Sequence, residues 1–365
     1  MATISLCIIV RNEQNILEKC LSSVVAIADE IIIVDTGSTD QTVEIAQKFV
    51  EQVYHFNWID DFAAARNYAQ SLATCDYIFR MDADCTLKDG NMQKLLALKA
   101  RNFDNADLIQ FNFIEHFKKL ASGEIKPLFK ESTIYLYKKT KFRWQLPIHE
   151  YLVPVDINFW PNTLTDESIL VLHHRAEADK PWRIKQNLDI LKKSVDQKCQ
   201  NYERMLQFYA RDLYFDGQYG ESIKQFKKLL ECKITSELRV YAIDKIFFCL
   251  FYSKRHNRIP EFKNLLESNH PNIILLAGDV ACLSDPAKAQ DLYLQYIQKP
   301  LNFEQNSFEY DVERYQIHPY IQLGKIYIQQ NKLMEAKRYL QTALQKAISE
   351  STIERIKSLL DFCKA

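Results

Sequence analysis

Residues 79–87 read FRMDADCTL, an apolar run that ends in two aspartates one residue apart. Asp82 and Asp84 carry like charges, and each is costly to desolvate unless a cation answers it. That cation is an arginine, a lysine or a metal ion. The run leading into the pair, DYIFRM (76–81), has the apolar and aromatic character of a buried strand, so the two carboxylates stand where a strand ends.

The same alternation extends through the first 180 residues. ISLCIIV (4–10), EIIIV (30–34) and QVYHF (52–56) read as strands, and NILEKCLSSVVAI (15–27), TVEIAQKF (42–49) and DFAAARNYAQSLA (61–73) as the helices between them. Continuous apolar strands alternating with helices predict an α/β domain with a parallel sheet covered on both faces. Right-handed crossovers place every strand's C-terminal end on one side, and ligands of open sheets bind outside those ends. IVDTGSTD (33–40) and MDADC (81–85) both fall there.

After residue 180 the pattern is helical throughout. ERMLQFYARDLYFDGQYGESIKQFKKLLE (203–231) and IHPYIQLGKIYIQQNKLMEAKRYLQTALQKA (317–347) align on Gly217 and Asn331. Leu323, Gly324, Tyr327, Ala336, Leu340 and Ala343 have the small-and-large spacing of a tetratricopeptide repeat. The first stretch has Ser222 where alanine is usual, and LRVYAIDKIFFCLFYS (238–253) reads as a degenerate unit. Any amphipathic helical hairpin gives a similar pattern, which is the plainer alternative. The expected organisation is 1–180 for the α/β domain, 181–200 for a connecting helix and 201–365 for an all-α tetratricopeptide-like helical repeat domain. Such repeats stack into a short solenoid, with a surface for a peptide or a second subunit.

Composition limits the function classes. Lysine plus arginine equals aspartate plus glutamate, 47 each, which gives no net charge to draw nucleic acid or an anionic membrane. The nine cysteines are scattered without a C-x-x-C pair, which argues against a disulfide framework or structural zinc and suits a reducing cytosol. MATISLCIIVRNEQN has no basic leader before its short apolar run, and no stretch approaches twenty apolar residues. A cytoplasmic protein without stable membrane insertion is expected.

Three groups carry chemistry. In VDTGSTD, Asp35 ends a strand, Gly37 permits a tight turn, and Ser38, Thr39 or Asp40 can cap the next helix. A capped turn explains Gly37 and Asp40; Asp35 is instead placed to accept from a nucleobase imide or a ribose hydroxyl. In DAD, alternate carboxylates suit magnesium or manganese, which bind through one or two carboxylates plus substrate phosphates. Surface aspartates in a turn are the alternative. Arg66 is a candidate for a phosphate, or a partner for Asp60 or Asp61.

The segments SLCIIVRNEQNILEKCLSSV, DEIIIVDTGSTDQTVEIAQKF, FNWIDDFAAARNYA and MDADC together resemble the N-terminal half of a family-2 glycosyltransferase of the GT-A fold, a nucleotide-sugar-binding, Rossmann-like domain. FRWQLPIHEYL (142–152) is similar to that family's later IHE segment. With the helical repeats, the whole resembles the bacterial SunS-type peptide S-glycosyltransferase subgroup. The resemblance implies that Asp35 contacts uridine and that Asp82 and Asp84 form a D-x-D motif. Asp84 is then the more direct metal ligand, with Asp82 reaching the ribose or the metal's waters. It also implies Arg66 near the diphosphate, and His173 or His174 closing over metal and diphosphate. Relatives usually read D-A-D-E, and Cys85 departs from that pattern. If the missing acid supports the metal shell, metal affinity falls; if it only caps the turn, nothing changes.

With these readings, the resemblance implies an inverting, metal-dependent transfer of a sugar from a UDP-sugar donor, and the expected acceptor is a side chain, cysteine or serine, of a peptide or protein. A hydroxyl acceptor needs a base. Glu150 is the first candidate and His149 the second, against a plain lysine-paired carboxylate at Glu150. The alternatives are transfer to a surface glycan or lipid-linked saccharide, and an inactive nucleotide-binding scaffold. A homodimer through the helical repeats is a further expectation.

Overall fold

The computed structural model describes residues 2–119, 125–174, 180–198, 201–299, 313–347 and 349–364. The chain divides into two compact units, Met1–Ser194 and Val195–Ala365.

In the first unit, β1 (Ile4–Val10) shows why a continuous apolar run becomes a central strand. Ile4, Leu6, Ile8 and Val10 enter a core with Leu17, Cys20 and Leu21 of α1 (Leu17–Val24). Cys7 enters a second core on the opposite face, with Ala63 and Ala69 of α3 (Phe62–Leu72). Strand periodicity of two thus feeds two helical layers. β2 (Glu30–Asp35), α2 (Thr42–Ala46), β3 (Tyr54–His55) and β4 (Tyr77–Arg80) complete the part read from the sequence.

The sheet is mixed, not wholly parallel. Its order is β3-β2-β1-β4-β7-β6-β10-β5, where β5 is Cys85–Leu87, β6 Leu108–Lys119, β7 Ile125–Lys138 and β10 Thr163–His173. β3, β2, β1 and β4 are parallel, whereas β7 is antiparallel to both β4 and β6. Only five residues separate β6 from β7, too few for the crossover that a parallel pair needs. A two-stranded ribbon, β8 (Phe142–Gln145) with β9 (Tyr151–Pro154), lies outside this sheet, and α4 (Asn91–Ala100) follows β5.

The connection from β4 to β5 constrains the curvature. In a flat sheet the two strands would lie four spacings apart, roughly 19 Å at about 4.8 Å each. Arg80 to Cys85 is five residues, at most about 17 Å when fully extended, and this segment turns, with the Cys85 N–H donating to the Asp82 carbonyl (3.0 Å). The sheet must therefore curl until its far edge returns beside β4.

Asp107 fastens the start of β6. Buried, it accepts from Lys138 Nζ (2.9 Å), Lys141 Nζ (2.8 Å) and the Asn162 N–H (3.0 Å). Burial opposes its charge, but Lys141, the Asn162 amide and Lys138 outweigh that and hold the carboxyl at about 2. Because the folded pKa lies below the ordinary value, the contribution is complete above about pH 4 and is lost as pH falls towards 2. Asp107→Asn is expected to cost about 1–3 kcal/mol at neutral pH, and much less at pH 2, as measured by chemical denaturation at both values.

α5 (Lys180–Asp196) occupies most of the span expected as a connecting helix; residues 199 and 200 lie outside the described residues. The second unit is helical. The two hairpins expected from sequence are α6 (Tyr202–Phe215) with α7 (Tyr219–Glu231), and α11 (His318–Gln329) with α12 (Leu333–Lys346). Their turns contain Gly217 and Asn331, both left-handed, at φ 78° and 56°. Between them lie α8 (Ser236–Tyr252), α9 (Pro271–Ala281) and α10 (Pro286–Gln298), and α13 (Glu350–Asp361) follows. Ser222 is fully buried, and its hydroxyl donates to the Ala210 carbonyl (2.7 Å), so the polar substitution is satisfied within the α6/α7 pair. A Cβ on Gly324 would stand 2.5 Å from Leu340 Cγ, so only glycine allows α11 and α12 to approach this closely. Among the described residues no helix is long and apolar enough to cross a membrane.

Candidate active site

The turn between β4 and β5 separates its two aspartates into different surroundings. Asp82 Oδ1 accepts from Arg66 Nη2 (2.6 Å) and Oδ2 from Arg80 Nη1 (2.7 Å). Arg66, on α3, also donates through Nε to Glu150 Oε1 (2.7 Å), just before β9. Glu150, Arg66, Asp82 and Arg80 thus form one chain of alternating charges. All four are largely shielded, with side-chain exposures of 14%, 10%, 33% and 14%. Burial opposes ionisation of Asp82, yet Arg66 and Arg80 prevail and hold its carboxyl well below the usual carboxylate range. Burial likewise opposes the Arg66 charge, and Asp82 and Glu150 more than restore it.

Aromatic side chains seat both guanidiniums. Arg66 lies 5.0 Å from the Trp144 ring centroid, and Arg80 lies 4.9 Å from Tyr135 and 6.0 Å from Trp144. Trp144 is itself clamped: Asn67 of α3 bonds its backbone N–H (2.9 Å) and carbonyl (3.0 Å), and its indole N–H donates to the Tyr137 hydroxyl (2.9 Å).

Asp84 faces another way. Its Oδ2 lies 3.0 Å from His173 Nε2, at the end of β10, where His173 pairs in register with Cys85. One ligand atom each from Asp84, Cys85 and His173 lie within 4.8 Å of one another. His174 turns elsewhere: its Nε2 meets the Thr86 hydroxyl (2.7 Å), and its backbone N–H donates to the Asp84 carbonyl (2.8 Å). Burial, with Lys19 and His173 nearby, pushes the His174 imidazole below its usual range.

A divalent ion fits the Asp84 and His173 pair. The carboxylate is the ligand type that magnesium and manganese take, and the imidazole adds a nitrogen of the kind that divalent transition metals accept. Among the described residues His173 Nδ1 is buried without a hydrogen-bond partner, and Nε2 is the nitrogen turned to the carboxylate. Burial, with Asp82 and Asp84 adding to the effect, raises the Cys85 thiol well above its usual range.

Asp35 is nearly buried, and its carboxylate closes its own turn. It accepts from the Gly37 N–H (3.0 Å) and the Ser38 N–H (3.1 Å), with His55 Nδ1 at 3.6 Å. Asp40 accepts from the Thr42 N–H (3.0 Å) at the start of α2. Neither Asp60 nor Asp61 holds Arg66: Asp60 accepts from Lys193 and Trp58, and Asp61 caps α3 by accepting from the Ala64 N–H. His149 stands beside Glu150 at a left-handed φ of 53°. Arg66, Asp82 and Glu150 therefore meet, as do Asp84 and His173, whereas the Asp35 carboxylate has its bonds in a separate turn. Sequence reasoning missed Arg80, although its spacing of two from Asp82 along a strand end was the available signal.

Residues 5–152 match the sequence family described as Glycosyl transferase family 2. A TPR repeat-containing protein of Synechococcus elongatus is 34% identical over 184 residues, which cover 50% of this chain and 40% of that protein. The SPbeta prophage-derived glycosyltransferase SunS of Bacillus subtilis is 26% identical over 286 residues, 74% of this chain and 64% of that one. The chain thus spans less than two thirds of either relative. Among solved structures, a thermophilic TPR protein of Thermus thermophilus aligns at a TM-score of 0.36 with 16% identity, over 49% of this chain and 91% of that chain.

Proposed function

We propose that this chain, a family-2 glycosyltransferase domain followed by tetratricopeptide-like repeats, transfers a sugar from a UDP-sugar to a cysteine or serine of a peptide or protein, with inversion and with a divalent metal. The observation that carries this reading is the D-A-D turn at the strand ends, which sets a carboxylate–imidazole pair beside a chain of guanidiniums and carboxylates.

Asp84 and His173 hold the ion, manganese or magnesium, which when bound supplies Lewis-acid stabilisation of the leaving diphosphate. Asp35 contacts the uridine through lone pairs its turn leaves over. Arg66 offers the diphosphate a permanent cation. Arg66 also occupies an oxygen of Glu150, so drawing Arg66 towards the diphosphate frees that oxygen to take the acceptor's proton. Donor binding and exposure of the base are coupled in this way. A thiol acceptor has a reference pKa near 8.5 and needs that base less than a hydroxyl does. The helical repeats hold the acceptor chain or a second subunit.

The test combines a panel of nucleotide-sugars, scored for metal-dependent hydrolysis, with matched peptides differing only by cysteine or serine. UDP-sugars should be turned over preferentially. Glu150→Gln should lower transfer to serine about 100-fold or more, within the usual range for a general base, and lower transfer to cysteine less. Equal losses on both would remove Glu150 as an acceptor-selective base.

A second reading, transfer to a lipid-linked saccharide, is favoured by one observation. Ile157 and Trp160, on the loop after β9, are 92% and 91% exposed, as suits side chains that meet a membrane interface. Glycosylation of a lipid-linked acceptor and of neither peptide would make that the better reading.

A further inference from the structure

The scheme above gives Arg80 no task beyond its bond to Asp82, yet its surroundings are closely built. β7 pairs Leu136 with Ile109 and Ile134 with Gln110, which leaves Tyr135 as an extra residue, a bulge in the strand. The ladder between β4 and β7 ends one step earlier, at Phe79 and Leu136. The Ile134 carbonyl is thereby available to a side chain, and Arg80 Nε donates to it (3.0 Å). The Tyr135 ring, displaced by the same bulge, lies under the guanidinium. Among the described residues the buried Tyr135 hydroxyl has no hydrogen-bond partner, and the residue meets Arg80 through its ring.

The two arginines on Asp82 are therefore held differently. Arg66 bonds two carboxylates, Asp82 and Glu150, and an arriving diphosphate competes for it with the same charge-assisted geometry. Arg80 spends one donor on a backbone carbonyl that no anion displaces, and another on Asp82.

We propose that Arg80 is a positioning residue: seated by the bulge at Tyr135, it fixes Asp82, and through Asp82 it orients Arg66 towards the donor's diphosphate. This rests on the donor-binding reading above. Asp82 keeps one cation while Arg66 exchanges, so the turn that also carries Asp84 stays in place through the donor's arrival and departure.

The experiment uses the full chain and its Arg80→Gln and Arg80→Lys variants. Uridine diphosphate with manganese is titrated calorimetrically, and donor KM and kcat are measured separately. Arg80→Gln should raise the Kd and the donor KM together by about tenfold or more, while kcat at saturating donor stays within about threefold. Arg80→Lys, which keeps a charge but cannot reach both Asp82 and Ile134, should fall between. A merely structural role would lower the Tm and leave the Kd of the folded protein within about twofold; that result overturns the proposal. Amide exchange at Cys85, whose N–H is bonded to the Asp82 carbonyl, separates this from failure of the donor reading. If the wild type binds no uridine diphosphate, the proposed function fails. Faster Cys85 exchange in Arg80→Gln then still supports Arg80 as the anchor of the turn, and unchanged exchange refutes it.

Discussion

Asp84→Ala is expected to lower sugar transfer about a thousandfold or more while leaving the fold intact. The magnitude follows from the several kcal/mol of leaving-group stabilisation that a bound divalent ion supplies. Asp84 faces the candidate metal position with His173 at 3.0 Å, and the chain of charges joining Arg66 and Arg80 runs through Asp82. Removing its carboxylate therefore leaves that chain matched, and the thermal transition should move little. His173→Ala should reduce transfer less, because a carboxylate neutralises the ion and an imidazole does not. Transfer by EDTA-treated enzyme at the untreated rate would falsify the metal role.

The largest effect on stability is expected at Arg66. Its removal leaves Glu150, 14% exposed, without the guanidinium bonded to it, and leaves Asp82 with Arg80 alone. Breaking a buried ion pair from one side costs about 3–5 kcal/mol, so Arg66→Ala should lower the denaturation midpoint severely. Arg66→Met with Glu150→Gln removes charge from both ends of that contact and should recover most of the loss. Transfer should recover in neither, because the diphosphate still lacks its cation. A double variant as unstable as Arg66→Ala would mean that lost packing against Trp144, rather than the stranded carboxylate, dominates the cost.

Much of this was legible in the sequence because it depends on periodicity. The apolar run at 4–10, the helix carrying Arg66 and the turn residues Gly217 and Asn331 each follow from local patterns, and the structure puts them at β1, α3 and the hairpin turns. Strand direction does not follow from such patterns. The long strands β6 and β7 left no cue that β7 would join β4 antiparallel. The histidine pair was unreadable for a similar reason. His173 still belongs to β10 and takes its orientation from register with Cys85, whereas His174 lies beyond the strand, and register is fixed by a partner about ninety residues away. Asp35 was read as placed for a ligand; what the one-letter sequence does not display is that the amides of Gly37 and Ser38 also bond its carboxylate. Glu150 and Arg66 meet across 84 residues, a contact that no local rule supplies.

The return of β5 to the side of β4 also bears on when the protein becomes competent during its synthesis. A three-residue strand cannot persist by itself, and among the described residues β5 pairs with β10 alone. While the ribosome is still making β6 and β7, Asp84 has been translated but the strand that places His173 against it has not. The arginines and Asp82 can come together once Trp144 and Glu150 have emerged; the Asp84–His173 contact must wait for the last residues of β10. Affinity for a metal ion should therefore appear abruptly and late in a series of nascent chains of increasing length, after the β4–β7 core has already formed.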